Sequence, residues 1–181
     1  MLRPAGIRAA RHNPPMNADA FRRLYDYHFA MNRRLWDHVM ELSDAAFDAP
    51  SDNSQGSVHQ QVWHLMTVDE GWFTELRDDP WPEQLLPDAP QPDWTREELR
   101  EHWDDVERRQ RKFLAGVTDG ALLRHPWSEG EDKDLVLWEV LLHVVNHGTD
   151  HRAQTQRQLA DLGVTTYPID YVFYAYEHPL P

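Results

Sequence analysis

Residues 137–163 read LWEVLLHVVNHGTDHRAQTQRQLADLG. The stretch predicts one long helix from Leu137 to Leu162, ended by Gly163, because glycine most easily takes the left-handed conformation that follows a helix C-terminus. Within it His143, His147 and His151 recur at steps of four. Each step turns an α-helix by only about 40°, so the three imidazoles share one broad face. Neighbours at this spacing can hold one ion. The same HxxxH spacing is common in helices that bind nothing, and this chain has 11 histidines. Spacing alone therefore leaves open a metal-binding face or a polar stripe.

Upstream segments repeat the helical pattern. From Ala18 to Leu42 the residues Phe21, Leu24, Leu35, Val39 and Leu42 recur at spacings that fit an amphipathic helix. Ser57 is placed to cap a second helix running to about Arg77, with a stripe of Val58, Val62, Leu65, Trp72 and Leu76. The proline-rich DDPWPEQLLPDAPQPDW, residues 78–94, cannot continue it, since proline removes donors and fixes its own dihedral. Thr95 to Glu98 has the capping-box form and opens a third helix carrying Leu99, Trp103, Val106, Phe113 and Val117. Residues 118–136, with Gly120, Pro126 and Gly130, predict a connection that holds at most a short hairpin. The tail DYVFYAYEH, residues 170–178, predicts a short fifth helix or an extended packed segment. Four helices of roughly 20 to 26 residues would each span about 30 to 39 Å, lengths that suit a bundle. The expected fold is all-α, a four-helix bundle with one or two crossover connections and a short C-terminal segment.

The chain of 181 residues suffices for a single buried core. It divides into an N-terminal extension, residues 1–16, and one bundle domain, residues 17–181. The opening MLRPAGIRAARHNPP has three arginines, three prolines and no acid. The absence of cysteine excludes disulfides, thiolate nucleophiles, iron–sulfur clusters and cysteine zinc sites, so any metal must be held by nitrogen and oxygen. A formal charge of -13 argues against a nucleic-acid partner, which would need a basic surface. No run approaches the roughly 18 apolar residues of a membrane span, and no apolar leader core follows the first methionine. A cytoplasmic protein without membrane contact is the expectation.

His64 supplies a candidate ligand from a second helix. In QQVWHLMTVDEGWF, residues 60–73, it lies at the margin of the apolar stripe with Val68 four residues on, so it can point into the bundle. Gly71 and Gly148 occupy helix interiors, where glycine costs about 1 kcal/mol relative to alanine. They suit either a crowded site or a close helix crossing. The zinc-protease patterns are absent: Val144 stands where HExxH needs its glutamate, and Asn146 where HxxEH needs it. What remains is a set of imidazoles with no carboxylate base built into the motif.

The stretch LLHVVNHGTDHRAQTQRQLADLG, the upstream WHLMTVDEGW and the closing YPIDYVFY resemble the DinB/YfiT-like metalloenzymes. The resemblance runs from about Met16 to Glu177. It implies a four-helix bundle holding one divalent metal ion per chain, zinc or nickel, on His64, His147 and His151, with His143 as a flanking residue. Some members of that family are transferases or isomerases that use a low-molecular-weight thiol such as mycothiol or bacillithiol. The implied activity is thus metal-dependent S-transfer to a small-molecule substrate, with a homodimer as a compatible assembly. A metal-assisted hydrolase and a non-catalytic, stress-related metal- or ligand-binding protein are the alternatives. One departure is Ala153, where the usual motif reads HRGQ.

Further residues extend the site reading. Gln60, Gln61 and Gln154 lie three or four positions from a candidate ligand and are expected to orient imidazoles or to sit on a solvated edge. Arg152 is expected to face away from the metal and to pair with an acid of the tail such as Asp170. His28 and Asn32 fall on the apolar face of the first helix, as cavity lining or, the preferred reading for His28, as a satisfied core histidine. Asp69, Glu70 and Asp150 are the acids nearest in sequence, but helical offset turns them away, and no catalytic base is assigned. The rings of Tyr167, Tyr171, Phe173, Tyr174 and Tyr176 suit core or interface packing better than a pocket wall.

Overall fold

The computed structural model describes residues 16–52, 56–83 and 93–180, and its long helices begin at side chains that satisfy otherwise free N–H groups. Helix α1 (Ala18–Val39) starts at Asn17, whose side chain accepts from the N–H of Ala20. After the short α2 (Asp44–Phe47), helix α3 (Val58–Arg77) opens on a full capping box between Ser57 and Gln60. Helix α4 (Arg96–Ala115) opens on the matching box of Thr95 and Glu98. A one-turn α5 (Asp119–Leu122) precedes α6 (Leu137–Asp161), where Glu139 Oε2 accepts the Val136 N–H. Gly163, at φ 85°, follows α6, and α7 (Tyr171–Glu177) closes the fold. The described residues contain no strand.

Helix α6 packs against α1 and α3, and α4 packs against the same two. Hence α1 and α3 stand at opposite corners of the bundle, as do α4 and α6. The connections through α2 and α5 both cross the bundle diagonal. Each is anchored by one buried side chain, Phe47 in α2 and Leu122 in α5. No helix among the described residues is long and apolar enough to cross a membrane.

The core is divided. One apolar cluster gathers Phe21, Tyr25, Phe29, Phe73 and Leu141; the other gathers Trp36, Val62, Leu65, Trp103 and Leu159. Between them each long helix contributes polar residues at core positions: His28 and Asn32 from α1, Asp69 from α3, Gln110 from α4 and Arg152 from α6, all at most 3% exposed. A buried polar layer therefore crosses the middle of the bundle.

Three expectations change. The first helix ends at Val39, three residues before Leu42, because Met40 and Leu42 turn back to bond the last carbonyls. Residues 118–136 hold the helical turn α5 rather than a hairpin, since Thr118 caps it and Leu122 buries it. Val117 lies just past α4 yet is buried. Residues 1–15, nearly the whole of the N-terminal extension, lie outside the described residues.

Candidate metal centre

His64 on α3 meets His147 and His151 on α6 where the two helices pack. His64 Nε2 and His147 Nε2 are 3.3 Å apart. The His151 ring centroid lies 4.5 Å from that of His64 and 4.3 Å from that of His147. One ring nitrogen from each of the three falls within 4.8 Å of the others, a group able to hold a metal ion. His143 continues the same face of α6 but turns edge-on to Trp72, 5.2 Å away, and is not part of the group.

The donor set fits a nitrogen-preferring ion. With zinc–nitrogen bonds of about 2.0–2.1 Å, the edge of a tetrahedron is about 3.3–3.4 Å, the separation already held by His64 and His147. Electrostatics point the same way. Burial, followed by the neighbouring His151, pushes the His147 imidazole down to about 4. Burial and then His151 lower His64; burial lowers His151, against the opposing pull of Asp150. All three rings are therefore neutral near pH 7, the form in which imidazole binds a metal.

Behind the rings, Gln61 Nε2 lies 3.4 Å from His151 Nδ1 and 3.1 Å from Gln154 Oε1, while Gln61 Oε1 is buried without a partner. Turning that amide over would let Oε1 accept a hydrogen bond from Nδ1–H, the orientation a ring ligating through Nε2 requires. His147 Nδ1 and Asp69 Oδ1 are also buried and unpaired. Below the site, Arg152 Nη1 donates to His28 Nδ1 at 3.1 Å, and His28 Nε2 donates to Asp69 Oδ2 at 2.7 Å. The neutral His28 ring thus links a buried cation to a buried anion. Burial lowers its affinity for a second proton, outweighing Asp69.

Residues 16–179 match the DinB family. The chain belongs to the DinB family. It is similar to Protein DinB of Bacillus subtilis (strain 168), with 25% identity over 160 residues that cover 85% of this chain and 92% of that protein. A solved DinB-like protein from Bacillus cereus ATCC 10987 superposes with a TM-score of 0.64 at 14% identity, covering 84% of this chain and 97% of the other. That likeness shows a shared fold.

Within this DinB-family bundle, the sequence reading of single residues is partly revised. Arg152 does face away from the three histidines, but it is fully buried against His28, Asn32, Thr149 and the Tyr27 ring instead of pairing with Asp170, which is exposed. Gln60 serves the cap of α3, while Gln61 approaches His151 and bonds Gln154. His28 is the satisfied core histidine expected. Gly148 reflects crowding by side chains, since a Cβ there would lie 2.4 Å from His28 Cε1. Tyr174 and Tyr171 both pack on Tyr27, although Tyr171, like Tyr167, Phe173 and Tyr176, remains exposed. Helical offset from His64 gives Asp69 no role in the sequence reading, yet it is a buried partner of His28. Its signal lay in register: Val62, Leu65, Met66, Asp69 and Phe73 form one buried stripe with a carboxylate at an apolar position.

Proposed function

We propose that His64, His147 and His151 hold one divalent ion, zinc or nickel, and that the chain is an enzyme transferring a low-molecular-weight thiol to a small-molecule substrate. The observation that carries this reading is the 3.3 Å approach of two imidazole Nε2 atoms from different helices beside a third neutral imidazole. Three neutral ligands leave a coordination position for an exogenous group, and an ion bound there would lower the pKa of a thiol or water into the neutral range. His64 and His147, half-buried, present their nitrogens to incoming ligand; the buried His151 is steadied by Gln61.

In S-transfer the thiol loses its proton, its sulfur bonds an electrophilic carbon of the substrate, and that carbon releases its leaving group with the displaced electron pair. A thiol starts from a pKa of about 8.5 and needs little more than a nearby charge. This favours transfer over hydrolysis here, because no carboxylate is among the three ligands and the nearest acids have partners of their own, Asp69 Oδ2 on His28 and Asp150 Oδ2 on Gln154. The exposed rings of Tyr171, Phe173 and Tyr176 support a homodimer, which sedimentation velocity would read directly.

The purified protein is expected to carry about one divalent ion per chain by elemental analysis and to lose it in His147→Ala but not in His143→Ala. The reverse pattern would assign the wrong pair. A thiol panel assayed with and without chelator then separates the classes: metal retained with no thiol transfer removes the transferase reading and leaves the metal site.

A further inference from the structure

One and two turns along α3 from His64 lies a cavity that the three-histidine site does not use. It is a cleft of about 330 Å³, open to solvent and lined by Thr67, Val68, Gly71, Trp72, Glu75, Trp81 and Asp132. Its volume falls within the range of small-molecule sites, about 300–1,000 Å³. The aromatic walls depend on a glycine: a Cβ at position 71 would lie 2.6 Å from Trp81 Cη2, so only glycine lets the benzo edge of that indole come up against α3. Trp72 forms the other ring, backed by Trp127 at 5.9 Å and by His143.

The charge of this cavity has one sign. Glu75 and Asp132 are exposed at it, and neither makes an ion pair among the described residues, unlike Glu70, Glu107 and Asp44, which each engage an arginine. Both flanking segments are acidic in sequence. Residues 78–83 contain three acids and no lysine or arginine, with Asp79 alone paired to Arg77, and EGEDKD, residues 129–134, sets four acids against one lysine. Indole rings beside carboxylates that make no ion pair attract an organic cation in two ways, through the ring quadrupole where the cation meets a face and through direct charge.

We propose that this cavity binds the substrate through an organic ammonium group attached to an apolar or aromatic body, with the ammonium between Trp72, Trp81, Glu75 and Asp132. The proposal rests on the metal-enzyme reading only in calling that molecule a substrate; binding itself needs no metal. Its position next to His64 places the rest of the molecule toward the three histidines.

The test is calorimetric titration with benzyltrimethylammonium, and with phenylacetate and benzyl alcohol as anionic and neutral probes of similar size. The cation should bind saturably at one site, about tenfold or more tighter than either control, and weaken as salt rises. Glu75→Gln combined with Asp132→Asn should weaken it by about tenfold, while leaving metal content unchanged. Gly71→Ala, which displaces Trp81, should also weaken it. His147→Ala should retain full affinity for the cation, so loss of the metal site and loss of the amine site are read separately. Equal binding of all three probes, no binding of the cation, or an undiminished affinity in the double carboxylate variant would overturn the proposal.

Discussion

Arg152 keeps a guanidinium in the middle of a bundle, out of reach of water, and is matched in charge by Asp69 through the shared ring of His28. Removing one partner of a buried ionic arrangement costs about 3–5 kcal/mol, since the other charge is left uncompensated. Asp69→Ala is therefore expected to lower unfolding free energy by about that amount in urea titration. A loss below about 1 kcal/mol would mean that the layer is hydrated. The histidine site adds a pH signature with a definite sign. His147 is held near 4 against an unfolded value near 6.5, so between those values the unfolded chain binds a proton that the native chain refuses. Stability is full above about 6.5 and declines as pH falls toward about 4, while protons displace metal only below the depressed values. Zinc affinity measured by competition should be nearly level from pH 7.5 to 6.5 and fall at lower pH; a midpoint at or above 6.5 would contradict the burial of these rings. Spacing marks His143, His147 and His151 as one helical face and His64 as a candidate at a stripe margin; the choice of His64, His147 and His151 comes from the family resemblance. The Asp69–His28–Arg152 chain was not legible, because its members are 41 and 124 residues apart, and local spacing carries no record of distant partners.

Helix beginnings were the most legible elements because a cap is a contact between residues three apart. Ser57 with Gln60 and Thr95 with Glu98 start α3 and α4 where their spacing says. The short helices α2 and α5 lay beyond such reading: one turn has too few residues for a period, and each is held by a buried anchor, Phe47 or Leu122. Glycine inside a helix shows the same limit. Position 148 looks like any helical glycine in sequence, yet a Cβ there would meet His28 at 2.4 Å and Arg152 at 2.9 Å. Position 120, in α5, has nothing within 4 Å. Gly120→Ala should stabilise by up to about 1 kcal/mol through helix propensity, and Gly148→Ala should destabilise by about 1–3 kcal/mol through overpacking of the polar layer. Thermal unfolding of the two variants reads both signs; a stabilised Gly148→Ala would show that His28 and Arg152 yield without cost.

The arrangement of the whole bundle was only half legible. Each stripe tells a helix which face to bury, but not against which neighbour, so the diagonal placement of α1 and α3 emerges from packing alone. The N-terminal boundary is where chain and bundle meet most clearly. Asn17 caps α1, and the Ala18 N–H donates to Asp119 Oδ1 at 2.8 Å, tying the start of the first helix to α5. Met16 packs on the core beside them. The preceding MLRPAGIRAARHNPP has no periodic apolar face and ends in two prolines. Deleting residues 1–15 should thus leave metal content and the melting temperature unchanged. Deleting residues 1–18 should lower the melting temperature by about 4 °C or more, the shift that about 1–2 kcal/mol produces in a domain of this size. Equal losses from the two truncations would place the stabilising contact upstream of Met16; no loss from either would mean that the Asn17 cap and the Ala18–Asp119 bond contribute nothing measurable.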